Sequence, residues 1–479
     1  MTSETTPYAK SGGLADVCGA LLKYLHADGH DVRLFMPAYA SISRERFDLR
    51  PVEALQNLTL QLGDWQYRFS VLTAGAPGAR DVVYLVDCPA CYDRPSLYTT
   101  DADEHRRFLL LTHAAFLCCQ RLGFAPQIMH FNDWHSALGT LLKRTVYAGD
   151  SLFQAARTVL TVHNIGYQGV VDAARLPDLL PAGEAQRLDQ NALAAGYINL
   201  LGTGLSYADL ITTVSPTYAR EIQSSAEYGM GLEGVLRARR ADLIGILNGV
   251  DYDDWDPRHD HFLPLHFDAE GLDVKADLKR RLMQRAGLRG AARTPLIGIV
   301  SRLAPQKGFD LLFDAMPRLM AAREFNLVAL GNGEQRYESF FERLHQLFPA
   351  RVYFHRGYDD ELAHWIEAAS DMFLMPSRYE PCGLNQMYSL RYGTVPVVRR
   401  TGGLADSVAH FDPATGEGTG VVFNDFDAQA VHWAIGYALD LYQDVPSWHR
   451  LVRNGMAQDF SWSLQVPRYV AAYERLIDS

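Results

Sequence analysis

The chain has 479 residues, of which 48% are hydrophobic and 21% charged, and its formal net charge is −11 at pH 7. This length allows two or three domains, and the composition is ordinary for a globular protein. The negative balance argues against a general nucleic-acid-binding protein and against one that binds anionic membranes, but it leaves room for a local basic pocket.

The cysteines and apolar segments indicate the compartment. Six cysteines are too few for a disulfide scaffold at this length. Cys88-Pro-Ala-Cys91 matches C-x-x-C, but no second pair or histidine cluster completes a zinc site, and the adjacent Cys118 and Cys119 are predicted core residues. The N-terminus lacks the apolar region of a secretory signal, and the apolar run Phe108–Cys119 is too short to span a bilayer. We therefore predict a cytoplasmic protein in a reducing compartment.

The first half of the chain alternates apolar strand patterns with amphipathic helices, which is typical of an α/β doubly wound domain. Alternating apolar residues over 57–70 predict an inserted β-hairpin. A turn-rich segment, Gly245–Pro257, marks the hinge to a second domain. The predicted strands are Val32–Met36, Val82–Val86, Ile128–Phe131, Val159–Val162 and Leu210–Val214.

The second half repeats this pattern and ends in a predicted amphipathic helix, Trp462–Ile477. Its short, continuously apolar runs are typical of buried parallel strands. The predicted strands are Leu296–Val300, Leu327–Leu330, Val352–His355, Met372–Met375, Val395–Val398 and Val421–Phe423.

The stretch from Met372 to Val408 has the densest set of functional signals. It is predicted to form a strand, a loop and a helix that begins near Leu384. In open α/β sheets ligands bind at the carboxyl ends of strands, so Glu380 in this loop lies where chemistry is expected. The first backbone N–H groups of the helix after Gly383 suit an anion such as a diphosphate.

One segment occurs twice, as Lys10-Ser-Gly-Gly-Leu-Ala-Asp16 and as Arg400-Thr-Gly-Gly-Leu-Ala-Asp406. Each copy places a basic residue and paired glycines at a predicted helix start. Glycines allow close backbone approach, and a helix N-terminus attracts negative charge. Two such turns fit two nucleotide-binding domains facing each other across a cleft; the alternative is two helix starts with a common cap.

Together with other motifs in the same order, these segments resemble the bacterial and plant glycogen (starch) synthases, from about Glu4 to the C-terminus. The resemblance implies a retaining glycosyltransferase of the GT-B type with two Rossmann-like domains. The implied domains are residues 1–248 for acceptor binding and catalysis, 249–457 for the nucleotide sugar, and 458–479 as a helix crossing back to the first domain. The motifs are KSGGLADV, HFNDWHSAL, TVHNIGYQG, TTVSPTYAREI, GILNGVD, VSRLAPQKGFDLL, PSRYEPCGLNQM and RTGGLADSV.

The resemblance also implies the reaction, which is transfer of glucose from ADP-glucose to the non-reducing end of an α-1,4-glucan. The preference for ADP over UDP rests on similarity to the bacterial and plant branch. No metal or other cofactor is expected, since the sequence has no D-x-D after a strand and no H-E-x-x-H. Neither nucleic acid nor membrane is expected as a partner.

Such a transfer requires a neutralised leaving diphosphate, a shielded cationic sugar and a positioned acceptor hydroxyl. By resemblance, Arg302 and Lys307 in SRLAPQKG neutralise the diphosphate. Lys10 is expected to approach the same group from the opposite domain, with Gly12 and Gly13 allowing close backbone approach. Taken singly, such cations are more often surface ion-pair formers.

His163, in TVHNIGYQG, resembles the family's active-site histidine that contacts the donor sugar. Glu380 has two open roles, orienting the glucose hydroxyls or supporting the cationic transition state, and a helix-capping role is the structural alternative. Many retaining transferases of this architecture have a second glutamate eight positions later, where this chain has Tyr388. A two-glutamate double displacement is therefore not expected, and we favour same-face transfer in which the leaving phosphate helps to deprotonate the acceptor.

The remaining site residues follow from the same motifs. Asp133 resembles the acceptor-side carboxylate, Asp16 and Asn248 are expected to line the cleft, and Tyr358 is expected to stack on the base. Each is alternatively a cap, turn or packing residue. Cys382 is expected to neighbour the phosphates without acting as a nucleophile, because no paired base is evident. The other implied substrate-binding residues are Gly383, Leu384, Thr401, Gly402 and Gly403.

In the family an apolar strand precedes the segment matching Ser3-Glu4, and residues 1–9 show no such pattern. A misplaced start or a shortened chain explains this, as does a real loss that weakens the first domain; we favour the former because losing a central strand is costly. Two alternative functions stay open. One is a related transferase with another nucleotide sugar, and the other is an N-terminally truncated, catalytically impaired glucan-binding protein.

Overall fold

The computed structural model describes residues 1–76, 79–181, 183–291 and 293–478. The chain divides into two compact units, where the sequence suggested boundaries at residues 248 and 457. Unit 1 comprises Met1–Val214, Ala219–Ile246 and Trp462–Ser479, and unit 2 comprises Ser215–Tyr218 and Leu247–Ser461.

The strands of unit 1 confirm all five strand predictions, with ends that coincide or differ by up to three residues, and they confirm the hairpin, whose second strand extends to Ala76. The strands are β1 (Leu34–Pro37), β2 (Arg50–Pro51), β3 (Leu58–Leu62), β4 (Trp65–Ala76), β5 (Ala79–Asp87), β6 (Ile128–Asn132), β7 (Arg157–Val162), β8 (Val170–Asp172), β9 (Tyr197–Asn199), β10 (Leu210–Thr213) and β11 (Leu243–Gly245). β3 and β4 form the predicted antiparallel hairpin, in which Leu60 pairs with Tyr67.

The helices that accompany these strands begin with α1, directly after the predicted glycine turn. They are α1 (Gly13–Ala27), α2 (Pro89–Tyr92), α3 (Glu104–Leu122), α4 (Asp133–Ala137), α5 (Gly139–Arg144), α6 (Leu176–Leu179), α7 (Gln190–Ala194), α8 (Leu200–Tyr207), α9 (Pro216–Glu221), α10 (Ala226–Gly229) and α11 (Glu233–Ala238). Short 3₁₀ helices of the chain lie at Glu53–Leu55, Ala173–Arg175, Ala185–Arg187, Pro305–Lys307 and Phe309–Leu311.

Unit 1 contains two larger sheets and a two-stranded one. A parallel four-stranded sheet has the order β11-β10-β7-β6, and a mixed five-stranded sheet has the order β1-β5-β4-β2 with β3 paired to β4. Residues 1–12, all of which the structure describes, contain no strand. The first two residues nevertheless contact both sheets, because the Met1 amine donates to the His130 carbonyl at 2.7 Å and the Thr2 N–H to the Phe35 carbonyl at 3.0 Å.

The strands of unit 2 confirm the six strand predictions for the second half. They are β12 (Leu296–Val300), β13 (Asn326–Gly331), β14 (Val352–Arg356), β15 (Met372–Met375), β16 (Val395–Arg399) and β17 (Val421–Phe423). The helices that follow α11 are α12 (Leu272–Arg285), α13 (Leu312–Ala322), α14 (Gln335–Leu347), α15 (Asp360–Ala369), α16 (Asn385–Arg391), α17 (Gly402–Ser407), α18 (Ala428–Gln443), α19 (Val445–Met456) and α20 (Trp462–Ile477).

These six strands form one parallel sheet in the order β14-β13-β12-β15-β16-β17. Apolar clusters cover both of its faces, which explains why the strands are apolar along their whole length. The order is that of a doubly wound nucleotide-binding domain, and its direction reverses between β12 and β15. Ligands bind at such a reversal, beyond the carboxyl ends of the two strands.

The last helix, α20, has the bounds that the sequence predicted and belongs to unit 1. Its Trp462 and Tyr469 are fully buried in an apolar cluster with Val17 and Leu21 of α1. All six cysteines, including Cys118 and Cys119, are buried free thiols. Within the described ranges, no helix combines the length and apolarity that a membrane crossing requires.

Candidate active site

The loops after β12 and β15 place three polar side chains together in unit 2. The Nζ of Lys307 lies 2.7 Å from Oε2 of Glu380, and the Ser377 hydroxyl donates to the same oxygen at 3.0 Å. Only 4% of Glu380 is exposed. A buried carboxylate is costly unless it is paired and hydrogen-bonded, and here both conditions are met.

Two glycines allow these loops to pack against each other. Gly308 has φ of +70°, and a Cβ there would lie 1.9 Å from the Pro376 carbonyl oxygen. Gly402 has φ of +43°, and its Cβ would lie 1.9 Å from the Glu380 carbonyl oxygen. Since real contacts are never this short, the loop around Glu380 requires glycine at both positions.

The segment after Glu380 leads into α16 through Cys382, Gly383 and Leu384. The Gly403 N–H donates to the Glu380 carbonyl at 3.1 Å, so the Thr401-Gly402-Gly403 turn lies against this segment. Burial raises the pKa of the Cys382 thiol well above its ordinary value, which agrees with the prediction that it is no nucleophile.

Asn248 and Cys382 lie together, since the Asn248 backbone hydrogen-bonds the Cys382 thiol. The Asn248 side chain is buried, and among the described residues nothing donates a hydrogen bond to its Oδ1. A buried acceptor without a partner is costly, and a ligand hydroxyl would remove that cost.

Two further predicted residues of unit 2 are exposed. Arg302 is exposed just beyond the end of β12. Tyr358, which follows β14 on the edge of the sheet, is 70% exposed, and its hydroxyl donates to Asp360 at 2.8 Å. Neither the proposed stacking of Tyr358 on a base nor the phosphate role of Arg302 is tested by these positions.

Tyr388 occupies the position where related transferases have a second glutamate. It lies in α16, is 7% exposed and stacks on Trp255, with ring centroids 4.0 Å apart and planes 1° apart. His364 also stacks on Trp255, with ring centroids 3.7 Å apart. The Tyr388 side chain therefore packs in the interior of unit 2, which accounts for an aromatic residue at this position.

In unit 1 the structure brings together Asp133 and His163, which follow the adjacent strands β6 and β7. The His163 N–H donates to Asp133 Oδ1 at 2.7 Å. The Asn132 side-chain NH₂ group donates to the Met1 carbonyl at 3.0 Å. The side-chain oxygen of Asn132 therefore faces His163 and accepts a hydrogen bond from its Nε2 at 2.9 Å. Asp133 has φ of +53°, a strained conformation for a non-glycine residue that is common at functional sites.

Burial sets the charge state of both groups. It lowers the pKa of His163 to about 3, so the imidazole is neutral at pH 7. It raises the pKa of Asp133 to about 7 against the opposing effect of two backbone hydrogen bonds, from His163 and Asn164. The carboxyl of Asp133 therefore gains or loses a proton near neutral pH.

The glycine turn of unit 1 holds a second buried carboxyl that sequence reasoning missed, Glu4. It accepts a hydrogen bond from the Ser11 N–H at 2.5 Å, and burial raises its pKa to about 7. Beside it, Lys10 is half exposed and forms a 2.8 Å ion pair with Asp16, while Gly12 and Gly13 begin α1.

Asn132 and Ser377, which orient His163 and Glu380, were missed as well. The only available sequence signal was their proximity to predicted site residues at the ends of β6 and β15. Across the described ranges, no group of three or more His, Cys, Asp or Glu side chains is arranged to hold a metal ion. Whether the reaction requires a metal therefore stays a prediction.

Comparison with known proteins links this geometry to a family. The family described as "Starch synthase catalytic domain" matches residues 1–238, and "Glycosyl transferases group 1" matches residues 284–457. A glycogen synthase of Koribacter versatilis is 46% identical over 99% of this chain and 96% of its own length. One from Thermotoga petrophila is 39% identical over 99% of this chain and 97% of its own length.

Solved structures agree with this result. The catalytic domain of starch synthase IV from Arabidopsis thaliana, bound to ADP and acarbose, superposes with a TM-score of 0.91 at 34% identity, covering 100% of this chain and 98% of that one. A sucrose-phosphate synthase from Thermosynechococcus elongatus has a TM-score of 0.61 at 18% identity over 100% and 96% of the two chains, and shares the fold. The fold is thus the GT-B fold, with two Rossmann-like domains.

Proposed function

Because the chain belongs to the family of glycogen and starch synthases, we propose that it transfers glucose from ADP-glucose to the non-reducing end of an α-1,4-glucan with retention of configuration. The observation that carries the proposal is the Lys307–Glu380 pair at the reversal of the unit 2 sheet. A doubly wound domain binds its nucleotide at this place.

In this proposal unit 2 binds the donor. Arg302 and Lys307 neutralise the diphosphate, and the backbone of Cys382, Gly383 and Leu384 approaches its oxygens. Thr401, Gly402 and Gly403 pack against that loop and hold it in place. The buried Oδ1 of Asn248 accepts a hydrogen bond from a hydroxyl group of ADP-glucose. Tyr358 stacks on the adenine. Fixed cations of this kind neutralise the leaving group without a metal, so we propose a metal-independent reaction.

Unit 1 is proposed to bind the reacting sugars. The neutral imidazole of His163 contacts the donor glucose, and Asp133 accepts a hydrogen bond from the acceptor. Lys10 releases its ion pair with Asp16 and binds a phosphate oxygen of the donor. Gly12 and Gly13 have no side chains, so the diphosphate can come close to the backbone there. The family resemblance supports these roles, and the hydrogen bond between the His163 N–H and Asp133 supports placing the donor glucose and the acceptor next to each other.

The chemical step breaks the bond between glucose C1 and the β-phosphate oxygen. A new bond forms from C1 to the acceptor oxygen on the same face, and the hydroxyl proton passes to the leaving phosphate. Glu380 supports the cationic sugar or orients its hydroxyls. Tyr388 stands where a second carboxylate would be required for a double displacement, which favours the single same-face step. We propose the cytoplasm as the site of action, where sugar nucleotides are made.

The test is incorporation of labelled glucose into glycogen from ADP-glucose and, separately, from UDP-glucose. We expect incorporation from ADP-glucose at a rate at least tenfold higher. The added glucose should be released as maltose by β-amylase, which cleaves only α-1,4 bonds. Equal rates from both donors would contradict the nucleotide assignment, and label resistant to β-amylase would contradict the assigned linkage.

A further inference from the structure

Two cysteines that the proposed function does not use lie in one turn at the end of β5. Cys88 directly follows Asp87, the last residue of the strand, and Cys91 lies in α2. The Cys91 N–H donates to the Cys88 carbonyl at 2.8 Å, so the turn is closed by the two residues themselves. A C-x-x-C pair in an α/β protein is typical of a dithiol that is oxidised and reduced.

The two thiols are chemically unequal. The Cys91 S–H donates a hydrogen bond to the Cys88 sulfur, and the backbone N–H groups of Cys91 and Ala90 hydrogen-bond the same sulfur. These bonds lower the pKa of Cys88 against the opposing effects of burial and of the Asp87 carboxylate. The same S–H donation, together with burial, raises the pKa of Cys91 far above its ordinary value. Since the thiolate is the reactive form of cysteine, Cys88 is the nucleophile of the pair.

The other four cysteines of the chain lack this activation. Burial raises the pKa of Cys18 and of Cys119 to about 12, and it raises the pKa of Cys118 and of Cys382 well above the ordinary value. Of the six cysteines, all of which lie in the described ranges, only Cys88 has a lowered pKa. The sulfur chemistry of the protein is therefore expected at this turn.

The core of unit 1 holds the turn in place. The Cys91 carbonyl accepts a hydrogen bond from Arg107 Nε at 2.7 Å, and the Tyr92 hydroxyl donates to the Arg107 carbonyl at 2.8 Å. Tyr92 and Arg107 are both fully buried. These contacts keep the two thiols together in the folded protein. Because the contacts are made by oxygen and nitrogen and not by sulfur, a disulfide between Cys88 and Cys91 leaves them in place.

The pair lies directly beneath the protein surface. Cys88 and Cys91 are each 1% exposed, but Pro89 and Ala90, the two residues between them, are exposed. Local opening of so short a turn is enough to admit a molecule of the size of hydrogen peroxide. Bulky reagents are excluded by the same cover.

We propose that Cys88 and Cys91 form a redox-responsive pair that hydrogen peroxide oxidises reversibly to an intrachain disulfide. In the first step the Cys88 sulfur attacks one peroxide oxygen, the O–O bond breaks, and Cys88 becomes a sulfenic acid as one water leaves. In the second step the Cys91 sulfur attacks the Cys88 sulfur, the S–O bond breaks, the S–S bond forms and a second water leaves. A dithiol reductant returns two hydrogens and is itself oxidised to a disulfide.

The test treats the folded protein with a small excess of hydrogen peroxide at neutral pH and then labels the remaining thiols with iodoacetamide under denaturing conditions. Trypsin yields one peptide, residues 81–106, that contains Cys88 and Cys91 and no other cysteine, since Pro95 protects the bond after Arg94. We expect this peptide to lose both labels together with the mass of two hydrogens. Dithiothreitol should restore both labels.

The adjacent Cys118 and Cys119 in α3 are the internal control, because both are buried and neither is activated. Label should be lost from Cys88 and Cys91 at least about tenfold faster than from these two.

Two variants assign the roles within the pair. Cys91→Ser keeps a hydrogen-bond donor beside Cys88 but removes the second sulfur, so the sulfenic acid at Cys88 should accumulate and react with dimedone. Cys88→Ser should leave Cys91 reduced, because the Cys91 thiol keeps its proton. Cys119→Ser is the matched control and should oxidise like wild type.

A wild-type pair that keeps both labels would overturn the inference, and so would a disulfide that forms only after urea has unfolded the protein. Oxidation of Cys91 in Cys88→Ser would overturn the assigned roles. Thermal melting shows whether each variant is folded, and the wild-type measurement decides the main point without them. Because the readout is the state of the thiols, the inference is independent of the proposed function and survives if transfer from ADP-glucose is absent.

Discussion

The Nζ of Lys307 lies 2.7 Å from the Oε2 of Glu380, although 73 positions separate the two residues. The Glu380 side chain is 6% exposed, so the lysine is an important charge partner for a carboxylate that little water reaches. The same lysine is proposed to meet the donor diphosphate. The pair therefore links the stability of the site to its capacity to bind the donor.

Lys307→Met should destabilise the protein, because it leaves the Glu380 carboxylate buried without its cation. The expected loss is about 3 kcal/mol of unfolding free energy, measured by urea denaturation. The double variant Lys307→Met/Glu380→Gln should recover most of that loss, since no charge then remains unpaired. A single variant as stable as wild type would show that the pair is not buried in solution.

Stability should depend on pH through two carboxyls of unit 1. Burial raises the pKa of Asp133 from 3.8 to about 7 and that of Glu4 from 4.5 to about 7. Between the ordinary pKa and the raised pKa of each carboxyl, the folded state holds a proton that the unfolded state has released. The free energy of unfolding therefore falls as the pH rises from the ordinary pKa to the raised one. The slope is at most about 1.4 kcal/mol per pH unit for each group.

Asp133→Asn isolates one of these contributions. The variant carries no titrating group at position 133, so its stability relative to wild type should increase between pH 5 and pH 8. Denaturation of both proteins at several pH values measures the difference. A difference that does not change with pH would mean that Asp133 is hydrated and titrates at its ordinary pKa.

Gly402→Ala should disrupt the loop that holds Glu380. The new methyl group would meet the Glu380 carbonyl oxygen at 1.9 Å in a backbone conformation of φ +43°. We expect a loss of at least about 2 kcal/mol in stability and a higher KM for ADP-glucose. Gly436→Ala, in α18, is the control, because its Cβ would meet nothing within 4 Å. Equal behaviour of both variants would contradict the packing described here.

Tyr388→Glu would supply the second glutamate of the broader E-x7-E pattern, but we expect it to abolish folding or activity. The ring is stacked on Trp255 and 7% exposed, so a glutamate there would lose the stack and bury a charge. Tyr388→Phe keeps the stack and should retain transfer activity. Thermal melting and initial rates distinguish the two, and an active, stable glutamate variant would refute the packing role.

The sequence predicted the strands well because each is a continuous apolar run bounded by turn residues, as in Met372–Met375. It missed β2, β8, β9 and β11, since strands of two or three residues are too short to show a period. Motifs in the sequence also led to the prediction that Asp133, His163, Lys307 and Glu380 are site residues. Their contacts were not predictable, because hydrogen bonds between chain-distant groups depend on tertiary packing.

The polar residues Glu4, Asn132 and Ser377 show this limit most clearly. Each is an ordinary residue type in a predicted loop or strand end, where turn or capping roles are the default. Only the folded chain shows that Glu4 is buried against Ser11 and that Asn132 holds His163. Residues that orient a site through another side chain have no pattern of their own in a single sequence.

The central claim is that Glu380 and His163 serve one transfer of glucose from ADP-glucose. The most direct measurement is the initial rate of labelled glucose transfer to glycogen by wild type, Glu380→Gln and His163→Ala, with thermal melting of each. We predict that both variants stay folded and that each rate falls by roughly 100-fold or more. Wild-type rates in either folded variant would contradict the account.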